Sequence, residues 1–160
     1  MKTLALVSAS ALAGFAVFCA PAPAQEQTPL ENLLTRIKET GTSLAVDAPR
    51  ICGDKDNLSM YEHKAGVIDQ LTICIDNHDG NDDALINTVI YEAVHIAQAC
   101  KGGTIYTLDS LLEQANAKDV HYVTTNYPAD EGHQEIEARV IAAEMDPDAA
   151  TALVEEYCFE

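Results

Sequence analysis

Basic residues are scarce in this 160-residue chain: 9 Lys plus Arg stand against 26 Asp plus Glu, for a formal net charge of −17. Nucleic acid and anionic membrane both need a face of clustered cations, so neither is expected as a partner. Long apolar runs are missing beyond the N-terminal region, so no later segment spans a bilayer. Internal repeats, low-complexity tracts and linkers long enough to separate domains are missing too. The length allows one domain with a modest core. No two cysteines stand in C-x-x-C spacing, which argues against a thiolate zinc site.

The N-terminus reads as a secretory signal peptide, residues 1–24. Lys2 precedes an apolar run from Leu4 to Phe18, and Ala-Pro-Ala ends at Ala24. Bulky Phe18 stands where a lipoprotein site at Cys19 wants a small residue. The expected mature chain, residues 25–160, is periplasmic or secreted, and loss of Lys2 takes its charge from −17 to −18. It retains Cys52, Cys74, Cys100 and Cys158, an even number that favours two disulfides in an exported protein. Three connectivities are open. The pairing expected is Cys52–Cys74, closing a local loop, with Cys100–Cys158 tying the chain end to a long helix.

Patterning predicts an α+β domain, mostly helical, with a small antiparallel sheet. Leu30, Leu33, Leu34 and Ile37 recur at helical spacing between Pro29 and Thr40, and Leu44 to Val46 reads as a short strand. A hairpin follows: Met60 to His63, a turn over Lys64 to Asp69, then Leu71 to Ile75 in half-buried alternation. A long helix lies between Asp82-Asp83, suited to a helix start, and Gly102-Gly103, suited to its end. Ser110 to Ala117 reads as a short helix and His121 to Tyr127 as a loop or extended segment before Pro128. Helices are expected again over Asp130 to Met145 and Asp148 to Tyr157. His63, His78 and His121 are assigned no role.

The long helix is apolar on most sides, so Glu92 and His95, at i and i+3, are polar groups inside a core element. An unpaired buried carboxylate is costly, and these two need a metal, water or polar partner. Tyr91-Glu-Ala-Val-His95 is the H-E-x-x-H pattern with its first histidine replaced. The intact pattern sets two imidazoles on one helical face for zinc, beside a glutamate that polarises the bound water.

Read in order, the hairpin, this helix and Glu135-Ile-Glu-Ala138 resemble small zincin-like metallopeptidases of the glutamate-zincin type, from about Ile51 to Ala143. The resemblance implies an edge strand that binds extended peptide, Glu92 as general base, and zinc held by His95 and Glu135. Glu137 is the fallback ligand. The chain departs from the family pattern at Tyr91, where the first ligand would be a phenol. Tyr91 itself or His133, two residues before Glu135, could complete a zinc site. Three functions are then open: an exported zinc peptidase, a non-catalytic domain that binds peptide or protein, and a disulfide-stabilised structural or inhibitory domain.

Overall fold

The computed structural model describes residues 26–159, so the expected signal peptide and Cys19 lie outside the described residues. Helix α1 (Pro29–Glu39) starts where Thr28 and Glu31 form a capping box ahead of Pro29. It buries Leu33 and Ile37 completely, each contributing roughly 1.5–3 kcal/mol. Strand β1 (Ser43–Val46), the short helix α2 (Pro49–Cys52) and the hairpin β2 (Ser59–Lys64) and β3 (Ile68–Ile73) follow. A 3-10 turn, Ile75–His78, leads into α3 (Asp82–Lys101), and α4 (Leu108–Leu112), α5 (Ala117–Asn126), α6 (Gly132–Ala143) and α7 (Pro147–Cys158) complete the described chain. The fold class is as expected: α+β and mostly helical, with a small sheet and two disulfides.

The sheet has order β1-β3-β2, and it is mixed rather than antiparallel. β2 pairs antiparallel with β3, but β1 pairs parallel with it, Leu44 facing Leu71. The connection from β1 to β3 runs through α2 and β2, long enough for the crossover that a parallel pair requires. The hairpin turn is tighter than the predicted Lys64–Asp69: Gly66, at φ 69°, lets three residues join Lys64 to Ile68. β3 ends at Ile73 rather than Ile75. Cys74 is drawn into a disulfide with Cys52, and Ile75 turns outward. Thr72 and Cys74 are fully buried, so the strand is covered on both faces rather than half-buried.

Helix α3 is the axis of the domain. Asn81 caps it through the Ala84 amide, and Gly102 ends it at φ 79°. Val89, Ile90, Ala93 and Ile96 pack with Leu71 and Ile73 of the sheet, Leu33 and Ile37 of α1, and Ala150 and Val154 of α7. Another side carries Val94 and Ala97 against Ala138 and Ile141 of α6. Residues 121–126, expected as a loop or extended segment, are instead helical. Asn116 caps α5 through the Asp119 amide, and Val123 is buried with Leu111, Ile136 and Val140. Tertiary burial here outweighs the low helix propensity of its β-branched residues.

The disulfides join Cys52 to Cys74 and Cys100 to Cys158, across 22 and 58 residues. The second fastens the last helix to the end of α3. Loop-closure entropy predicts that removing them costs about 3 and about 4 kcal/mol respectively. Urea unfolding of the paired Cys→Ala variants at neutral pH should show the larger loss for Cys100/Cys158. Equal or reversed losses would contradict this ranking.

Candidate functional site

A cleft of about 1070 Å³ opens between β2, α3 and α6. Ser59, Tyr61 and His63, alternating along β2, line one wall, and Tyr91, Glu92 and His95 of α3 lie along it with Glu135 and Arg139 of α6. β2 is an edge of the sheet, so its outer backbone groups have no strand partner among the described residues. Leu58 and Met60 leave apolar surface exposed on this lip, as does Tyr122 elsewhere on the rim.

Glu92 is 4% exposed and accepts a hydrogen bond from the Ser59 hydroxyl. Burial pushes its carboxyl above the ordinary range, while His95 and Ser59 pull it back. Tyr91 packs edge-on to His95, ring centroids 4.8 Å apart, and its hydroxyl donates to Glu135 Oε2. Burial and the bond to Glu135 hold the Tyr91 phenol far above its usual pKa of 10.0. Its proton therefore stays in place through the neutral range. The other oxygen, Glu135 Oε1, lies 3.6 Å from His95 Nε2.

The orientation of His95 is set from behind. Gln98 Nε2 donates to Glu137 Oε2 at 2.7 Å and to the Gln134 carbonyl at 3.0 Å. Its amide oxygen thus faces His95 Nδ1, 2.8 Å away, and only a protonated Nδ1 completes that contact. The open nitrogen is Nε2, directed at Glu135. Glu137 is fully buried and also accepts from the Ile105 and Tyr106 amides. Glu137 thus acts as a structural clamp, and of the two glutamates only Glu135 faces the cleft.

Zinc would require a third protein ligand, and the residues present do not fit it. The Tyr91 phenol keeps its proton and spends it on Glu135. His133 is not among the residues lining the cleft. No group of three or more His, Cys, Asp or Glu among the described residues is placed to hold a metal. Of the other histidines, His78 bridges the Cys74 carbonyl and the Thr88 hydroxyl outside the cleft, and His63 stands on the β2 wall of the cleft beside Asp69. Ser59 and Arg139 entered the site without a motif to announce them, whereas Gln98 follows His95 in the segment that carries the family resemblance. Gln98, three residues after His95 on the same helical face, was the one accessible from spacing.

These features define a disulfide-bonded, mostly helical α+β domain with a buried Tyr-Glu-His cluster opening into a cleft. Residues 51–159 match the model of a family described as a domain of unknown function, DUF8637, and the chain belongs to that family. No curated protein and no solved structure matches the chain.

Two separations of role follow. Glu137→Gln should cost about 2–4 kcal/mol, because backbone donors lose a buried acceptor. Glu135→Gln at the cleft should cost less than half as much in the same urea titration. Glu92 gives a pH signature. Its folded pKa is raised, so the stability it lends is full below the ordinary 4.5 and falls as pH climbs through the raised value. Glu92→Gln should therefore gain on the parent protein between pH 4 and pH 8. Parallel pH–stability curves would refute the assignment.

Proposed function

We propose that this is an exported zincin-like domain with a degenerate zinc-peptidase site, which holds an extended peptide in its cleft rather than hydrolysing it. One observation carries the reading: the Tyr91 hydroxyl occupies Glu135, where the resemblance would place a metal. The cleft around it remains open and walled by an edge strand, the geometry to which a peptide strand can add. Leu58 and Met60 offer apolar contact along that edge. Two disulfides and the signal-like N-terminus support a periplasmic or secreted location. No helix among the described residues is long and apolar enough to cross a membrane.

A second reading, a weak zinc peptidase with Glu92 as general base, is favoured by one contact. His95 donates through Nδ1 to Gln98 and keeps Nε2 open toward Glu135, as metal-binding histidines do. Native mass spectrometry of the oxidised protein under zinc titration separates the two readings. The parent protein should take no tight stoichiometric zinc, and Tyr91→His should gain one, with affinity at least about a hundredfold higher. The non-catalytic reading is overturned if the parent holds one zinc that His95→Ala removes, with peptide hydrolysis that Glu92→Gln abolishes.

A further inference from the structure

Arg139 is the anomaly of the cleft. The chain has three arginines in a protein with 26 acidic residues, and two behave as that excess dictates. Arg36 pairs with Glu39 and Glu155, and Arg50 pairs with Glu62. Arg139 has no carboxylate within 4.0 Å among the described residues, although Glu135 precedes it by one helical turn. Its Nε is buried without a hydrogen-bond partner. What positions it is aromatic: the guanidinium lies 4.1 Å from the Tyr122 ring centroid and 5.7 Å from that of Tyr91.

A guanidinium stacked on a ring face keeps its edge donors free, and those donors match a carboxylate in bidentate geometry. Arg139 lines both the main cleft and an adjoining cavity of about 570 Å³, which also carries Lys118, His121 and Asp119. This corner is the cationic end of an otherwise acidic cleft, since Arg139 is the only Lys or Arg among the main cleft's lining residues. Four residues along α6 advance about 6 Å. A ligand carboxylate on Arg139 thus places the adjacent peptide unit next to Glu135 and His95.

We propose that Arg139 is the anchor for a carboxylate on the bound peptide, from a free C-terminus or from an Asp or Glu side chain. The inference rests on the peptide-binding reading of the cleft and adds the chemical class of its ligand. Leaving a half-buried cation unpaired costs the free protein, and the ligand carboxylate removes that cost on binding. The general acidity of the protein repels anions only weakly here, because the field is screened over about 8 Å at physiological salt.

The test uses the oxidised protein and fluorescein-labelled octapeptide libraries made both as C-terminal acids and as amides, with neutral or Asp/Glu-containing sequences. Fluorescence anisotropy reads binding to the parent, Arg139→Gln and Arg139→Lys proteins, each first shown by thermal unfolding to be folded. The parent should bind the neutral acid library, or the amidated Asp/Glu library, roughly ten- to a hundredfold better than the neutral amide. Arg139→Gln should erase that preference, and Arg139→Lys should retain some of it. Preference in the first library names the C-terminus as the source, and in the second the side chain. Equal binding of every library, unchanged in Arg139→Gln, overturns the anchor and leaves the peptide cleft standing. No binding by any library overturns both.

Discussion

A carboxylate with no exposure, Glu137, must find donors or cost the fold several kcal/mol. It finds them in three places at once: the Gln98 amide on α3 and the backbone of Ile105 and Tyr106. The end of the long helix, the segment after Gly103 and the middle of α6 are therefore held in one register. Ala138, also fully buried, lets α6 approach α3 beside that clamp. The site inherits its precision from this arrangement. Gln98 has no freedom to turn its amide, so His95 has no freedom to choose its tautomer. A surface ion pair could not do this, because solvent would let both partners wander.

The helices and disulfides were legible because their signals are local or nearly so. Thr28, Pro29 and Glu31 announce the start of α1, and Gly102 announces the end of α3. α5 was hidden, since Val120, Val123, Thr124 and Thr125 speak against a helix. Burial of Val123 under α6, together with the Asn116 cap, outweighs them. The parallel pairing of β1 was hidden for a related reason: four residues state that a strand exists but not which neighbour it will meet. Within the site, Glu92, His95 and Glu135 were marked by spacing, and they do converge. The choice between Glu135 and Glu137 was not available from sequence. Two residues of register on α6 decide whether a carboxylate meets the cleft or the backbone of Ile105.

Three ionisable groups share a small volume, and each is balanced differently. Glu135 accepts a hydrogen bond from the Tyr91 phenol, Glu92 accepts one from the Ser59 hydroxyl and is pushed toward its neutral form by burial, and His95 donates backward to Gln98. The two acceptors that face one another, His95 Nε2 and Glu135 Oε1, stand 3.6 Å apart. The three groups are thus tied to Tyr91, Ser59 and Gln98 by hydrogen bonds, while the His95–Glu135 contact is too long to be one.

That network bears directly on the zincin-like reading of position 91, where the resemblance expects histidine and this chain has tyrosine. A neutral imidazole offers a lone pair at no cost, whereas a phenol offers one only after losing a proton. The surroundings that would strengthen a metal bond, low exposure and a nearby carboxylate, are the same ones that raise the Tyr91 pKa. Displacing that proton would also strip Glu135 of its donor, so a cation entering here must break two interactions to make one. The strongly negative charge of the protein favours cations in general, but the long-range field is screened over several ångströms while this penalty is local. Under the proposed degenerate reading, proximity decides the balance, and the hydrogen bond from Tyr91 to Glu135 is the nearer interaction.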